Sequence, residues 1–152
     1  MLVLTFEVAG SPFAVAVRRV VEVVPRVPLR AVPHAPEDLA GLLHFRGMAV
    51  PVIDLGARLG RGRCADRLNT RIILAEGRHH EPGQPVNLVG LIAERVDDVR
   101  TVDPAHPALG ADLAGRQVAA YLGAVYQVGD RLIQMVEPER ILGDVPVGAT
   151  AP

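Results

Sequence analysis

The chain of 152 residues contains no lysine and no tryptophan, a single serine and a single cysteine. Each absence removes a class of chemistry. Without lysine there is no Schiff-base amine, no phosphate loop ending in Gly-Lys-Ser/Thr and no kinase-type lysine on a strand. Ser11 lies in Gly10-Ser11-Pro12, which reads as a turn rather than a nucleophile elbow, so serine hydrolysis is not supported. Cys64 alone forms no intramolecular disulfide and no multi-cysteine zinc or iron–sulfur site, and such sparing use of cysteine fits a reducing compartment. Aromatic rings are also scarce: Phe6, Phe13, Phe45, Tyr121 and Tyr126 leave little material for base-stacking platforms.

Long apolar runs are missing too. No stretch approaches the ~20 residues of a membrane span, and Met1-Leu2-Val3-Leu4-Thr5-Phe6-Glu7 lacks the basic start and apolar run of a signal peptide. The expected location is cytoplasmic, without membrane insertion. The 16 basic residues are all arginine, balanced by 17 acids and spread along the chain, so no basic block marks a nucleic-acid surface. A chain of this length buries about 68–70% of its unfolded surface and needs no disulfide or metal staple. One compact unit over residues 1–144 is expected, with 145–152 as a loose tail.

What is present is a succession of strand signals. Leu2, Leu4, Phe6 and Val8 alternate with Val3, Thr5 and Glu7, the period of a strand with one buried face, and Phe13–Val17 returns after the turn. Val20-Val21-Glu22-Val23-Val24 is a β-branched run whose acid needs an exposed or paired position. Residues 33–41 read as a loop with a short helical turn. Leu42–Phe45 and Met48–Leu55 form a hairpin about Arg46-Gly47, with Pro51 favouring an edge or bulge and Asp54 placed to cap a brief helix. Arg71–Ala75 and Val86–Ala93 flank a polar excursion as a long hairpin, and Val96, Val99 and Val102 continue a buried pattern. Val118–Val128 pairs with Leu132–Val136 across Gly129-Asp130, and Pro138–Leu142 starts a last short helix. About ten short strands and no long amphipathic helix argue for an all-β sandwich or barrel arrangement.

Candidate chemistry is thin. His79-His80-Glu81 is the nearest approach to a metal cluster, but adjacent residues on an extended segment point to opposite faces and no third ligand stands at a conventional spacing. The pairs Glu37-Asp38 and Asp97-Asp98 are explained by a helix start and by exposed strand-end positions. Cys64 has basic neighbours able to lower its pKa but no companion histidine or cysteine, and reads as a free thiol in an exposed loop. Scattered glycines form no dinucleotide fingerprint. No catalytic group, cofactor or metal is indicated, which points to a binding or scaffolding module.

Several segments, taken in order, carry a family likeness. Ala40-Gly41-Leu42-Leu43-His44-Phe45-Arg46-Gly47 runs into Met48-Ala49-Val50-Pro51-Val52-Ile53-Asp54-Leu55, and Gly90-Leu91-Ile92-Ala93-Glu94-Arg95-Val96-Asp97-Asp98-Val99 follows later. Gly129-Asp130-Arg131-Leu132 and Pro138-Glu139-Arg140-Ile141-Leu142 close the series. Together with the opening hairpin they resemble the CheW-like chemotaxis coupling proteins over residues 2–142. That resemblance implies two intertwined five-stranded, SH3-like β-barrels with short helices. It also implies a non-catalytic adaptor without a cofactor. Such an adaptor binds the cytoplasmic tip of a methyl-accepting chemoreceptor and the regulatory domain of a CheA-like histidine kinase, and joins membrane-bound receptor arrays only through these partners.

The residues that match the family's partner-contact positions are Arg46 with Gly47, Val20, Glu22, Val96 and Val99. Arg46 offers a bidentate grip on a carboxylate or carbonyl, with bracing of a neighbouring loop as the alternative. Core packing is the alternative for Val96 and Val99. His44-Phe45 before Arg-Gly, Glu94 for the usual Asp, Gln134 in the closing strand and the long Glu76–Val86 excursion depart from the family pattern. These features are similar to coupling proteins of non-flagellar pathways, including the Wsp surface-sensing type. A free-standing β-barrel domain that binds a ligand or nucleic acid through its arginines is the competing reading.

Overall fold

The computed structural model describes residues 1–77, 87–110 and 119–142. It contains nine strands: β1 (Leu2–Val8), β2 (Ser11–Ala16), β3 (Val20–Pro25), β4 (Leu39–Phe45), β5 (Met48–Asp54), β6 (Arg71–Glu76), β7 (Leu88–Thr101), β8 (Leu122–Val128) and β9 (Arg131–Val136). Among the described residues there are also two one-turn helices, α1 (Leu55–Arg58) and α2 (Pro138–Ile141), and a 3₁₀ turn at Val17–Arg19. The all-β expectation holds. The strand count falls from about ten to nine because the apolar run ending at Ala93 and the Val96–Val99 segment belong to one strand of 14 residues, β7.

Hydrogen bonding divides the strands into two groups of five that share β7. The first runs β7-β1-β2-β9-β8 and the second β3-β6-β7-β5-β4. From Leu88 to Ala93, β7 pairs with β6 and, over Gly90–Ile92, with β5; from Glu94 to Thr101 it pairs with β1. One long strand thereby interlocks two barrels.

Two apolar cores form, and the larger one draws on strands of both groups. The larger core gathers Val52, Ile53, Leu55, Ile72, Ile73, Leu74, Leu91 and Ile92, together with Phe6, Val8, Phe13 and Val15 from β1 and β2. The smaller one holds Val3, Ala14, Ala16, Val102, Tyr126, Ile133 and Met135. Burying each of the larger side chains contributes about 1.5–3 kcal/mol. Because β1 lies between both cores, its simple alternation fails: Val3 is fully buried, whereas Leu2 is 52% exposed. The first turn is also shifted. Ala9 and Gly10, at φ 50° and 80°, make a two-residue turn, and Ser11 and Pro12 already belong to β2. Likewise Leu39–Gly41, expected as loop, starts β4, paired with Ile53 and Val52 across a register shift.

Local chemistry fixes the connections. Asp54, 2% exposed, caps α1 by accepting from the Ala57 N–H at 3.1 Å, and both its oxygens accept from the Cys64 N–H at 3.1 Å. Gly56 is required there, since a Cβ would stand 2.2 Å from the Gly62 carbonyl oxygen. Arg58 joins the two ends of the fold. It donates to Asp38 Oδ2 at 2.7 Å and to the Ile141 carbonyl at 3.1 Å, with its guanidinium 4.9 Å from the Tyr121 ring centre. The fully buried Ile141 then packs α2 onto the larger core. The 145–152 tail and His79-His80 lie outside the described residues.

Candidate partner-binding site

The second barrel has a seam. β3 and β4 stand at opposite ends of its strand order, and among the described residues no strand pairs with the outer edge of β3. The outer edge of β4 is partly covered by Arg30, which exchanges two backbone hydrogen bonds of 2.9 Å with Leu42.

The β4–β5 turn reaches over this seam. Arg46 and Gly47 have φ of 49° and 79°, both positive, as a two-residue turn matched to the right-handed twist of its strands demands. Phe45 and Met48 pair across it. From this position the Arg46 guanidinium approaches Glu22 Oε1 on β3 at 3.6 Å and lies 4.8 Å from the Phe45 ring centre. The acid of the valine-rich strand is thus exposed and paired. With side chains 67% and 43% exposed, this ion pair adds only about 0–1 kcal/mol to folding and leaves both groups accessible.

Around the pair, Val21 and Val23 are 40% and 38% exposed, and Val27 follows at 39%. A register shift between Val20 and Glu22 inserts Val21 as an extra residue opposite β6. Such a bulge twists an edge strand and displays side chains that alternation alone buries. These exposed valines were not distinguishable by sequence reasoning, because valines on both sides of Glu22 hide which of them the bulge turns outward.

The structure brings Arg46, Gly47 and Glu22 together, with Val20 at the start of the same strand. Val20 and Val96 are partly buried and both pack on the larger core. Val99 lies on β7 opposite Leu4 and is 51% exposed, which corrects the expectation of a buried pattern through Val99. The reason is that β7 has turned away from the second barrel before it reaches this residue.

A second exposed feature occupies the loop between α1 and β6. Leu68 is 94% exposed, with Arg61, Arg63 and Arg67 exposed in the same loop. The loop is held from below: Thr70 Oγ1 donates to the Ala65 carbonyl at 2.5 Å and accepts from the Arg67 N–H at 3.2 Å, and Arg71 donates to the Leu68 carbonyl. The arginines that look dispersed in the sequence include five between positions 58 and 71. A lone leucine in so polar a loop was the available signal.

Cys64 overturns its sequence reading. It is 5% exposed, its thiol donates to the Ile92 carbonyl at 3.4 Å, and burial, with the Asp54 carboxylate beside it, pushes its pKa up to about 12. Of its basic neighbours, Arg61 donates to Ser11 Oγ instead. Burial also raises the Glu137 carboxyl, against the opposing pull of Arg140. No group of three metal-ligating side chains assembles among the described residues. No helix among them is long and apolar enough to cross a membrane.

The architecture defines the class: an all-β protein of two barrels interlocked through one shared strand. The chain belongs to the CheW-like domain family, whose pattern matches residues 2–145. A probable chemotaxis protein CheW of Rhizobium etli is 29% identical over 145 residues, covering 93% of this chain and 86% of that protein. The chemotaxis protein CheW of Rhizobium meliloti is 27% identical over 138 residues, covering 91% and 84%. Among solved structures, the scaffolding protein TtCheW from Thermoanaerobacter tengcongensis superposes with a TM-score of 0.75 at 26% identity, over 90% of this chain and 83% of that one.

Proposed function

We propose that this chain is a non-catalytic adaptor of bacterial chemosensory signalling, coupling methyl-accepting chemoreceptors to a CheA-type histidine kinase. Its membership of the CheW-like family supports the class of function. The observation that carries the site is the Arg46–Glu22 pair over an open barrel seam, flanked by exposed Val21 and Val23. An amphipathic helical hairpin has the complementary form: apolar residues for the valines and a carboxylate or carbonyl for Arg46. Val20, Gly47, Val96 and Val99 complete the candidate contact set.

An adaptor must hold two partners at once, and the Leu68 loop supplies a second, separate surface. A rigid loop that displays one apolar side chain among arginines suits a partner with an apolar socket and an acidic rim. We assign this surface to the kinase regulatory domain and the seam to the receptor tip. Function then resides in the relative placement of the two sites, both carried by the barrel formed from β3, β6, β7, β5 and β4.

The test is calorimetric titration of the purified protein with the regulatory domain of a CheA-like kinase and, separately, with a receptor-tip hairpin from the same genome. Saturable binding to each is expected. Binding to neither by a well-folded sample would leave the shared architecture without the adaptor role.

A further inference from the structure

β7 leaves β6 after Ala93, pairs with β1 at Glu94 and kinks at the next residue. Arg95 has φ of 48°, a left-handed conformation that residues with a Cβ adopt at a cost. The pairing with β1 shows why it is needed. Register runs from Leu2–Thr101 to Thr5–Asp98 and resumes at Glu7–Glu94, so Phe6 alone stands opposite residues 95–97 of β7. The two extra residues must be accommodated by a kink, and Arg95 supplies it.

An unfavourable backbone conformation persists only where its surroundings hold it. Here the holding group is Glu7. Its carboxylate accepts from Arg131, at the start of β9, at 2.9 Å, and lies 3.3 Å from Arg95 Nε. The Glu7 side chain is 19% exposed, against 62% for Arg95 and 52% for Arg131, so the carboxylate sits beneath the two guanidiniums. The flanks of the kink are tied as well: Glu94 accepts from the Ala9 N–H at 3.0 Å, and the Val96 N–H donates to the Asn69 carbonyl at 3.2 Å.

We propose that Glu7 is a clasp that holds the left-handed kink of β7 at Arg95, and so fixes the junction of the two barrels. Arg131 steadies the clasp from β9. The inference concerns the junction and stands whether or not the adaptor role does.

Three variants test it: Glu7→Gln, Arg95→Gly and the two combined, compared by native-state amide exchange and by chemical denaturation. The Val96 amide is the reporter, with Ile72–Leu74 on β6 as reference. Glu7→Gln keeps the shape of the side chain and removes its charge. It is expected to speed exchange at Val96 about tenfold while leaving β6 unchanged. In the double variant, glycine adopts positive φ freely and exchange at Val96 returns to within about twofold of the parent. Unchanged exchange in Glu7→Gln would overturn the clasp. So would an equal rise at β6, or a double variant as fast as Glu7→Gln, since either result assigns Glu7 to general stability rather than to the backbone at Arg95.

Discussion

Arg46 reaches from the β4–β5 turn to within 3.6 Å of Glu22 on β3, and so spans the seam between β3 and β4, the two ends of the second barrel's strand order. The contact is too exposed to hold the barrel shut by itself. Its accessibility suits a guanidinium that is pre-positioned for a partner group and can exchange Glu22 for it.

Arg46→Ala is therefore expected to change folding stability by less than about 1 kcal/mol, measured by chemical denaturation. The same variant should weaken receptor-hairpin binding about tenfold or more. The charge-reversed pair Arg46→Glu with Glu22→Arg separates the roles. Restored binding in that double variant would make the ion pair itself the requirement, rather than the guanidinium at position 46.

Leu68 touches solvent over nearly all of its surface, so Leu68→Glu should leave the denaturation midpoint unchanged. Kinase-domain affinity should fall by about tenfold or more, because the substitution removes the apolar anchor and sets a carboxylate against an acidic rim. Receptor-hairpin affinity should stay at the parent value. A loss of receptor binding instead would contradict the assignment of the two surfaces.

Cys64 should resist thiol reagents in the native protein at pH 8 and react promptly in denaturant. Its thiol is raised from 9.0 to about 12 by burial and by Asp54, so the folded state keeps the proton that the unfolded state releases. The associated stability is present below pH 9 and is lost as the pH rises from 9 toward 12. Cys64→Ala should reduce that alkaline dependence, which denaturation curves at pH 8 and 10 would reveal.

Arg58→Ala should cost about 3 kcal/mol, because it leaves the Asp38 carboxylate and the Ile141 carbonyl without their donor in a largely buried setting. Earlier amide exchange in α2 than in β6 would accompany it. Arg58→Lys should recover only part of the loss, since one ammonium cannot reproduce the two-sided grip and the contact with Tyr121.

Glu137 sits where burial disfavours its charged form more than Arg140 and Arg19 favour it. A carboxyl raised in this way binds its proton more tightly in the folded state. Its contribution to stability therefore falls as the pH rises through the carboxylate range. Glu137→Gln should flatten that part of the stability–pH profile and raise the midpoint at pH 7.

The parts of this fold that follow local rules were legible in the residues. Arg46-Gly47 announced its turn, Asp54 its cap and Pro138 its helix start, because each depends on the backbone preferences of one or two residues. Glu22 was recognisable as an acid in need of a partner, and the family likeness singled out Arg46. Long-range geometry was less visible. Leu2 and Val3 exchange their expected burial because β1 divides two cores. Cys64 is buried because Asp54, ten residues earlier, draws its N–H inward. Val21 is exposed by a bulge that a run of valines around one acid conceals.

An adaptor must hold both partners at once, which sedimentation velocity of the three-component mixture reads out. With the protein, a kinase regulatory domain and a receptor-tip hairpin at saturating concentrations, one species containing all three is expected. Leu68→Glu should leave only the receptor complex, and Arg46→Ala should deplete the ternary species. Two separate binary complexes that displace one another would rule out bridging, because partners that compete for one surface cannot be joined by it.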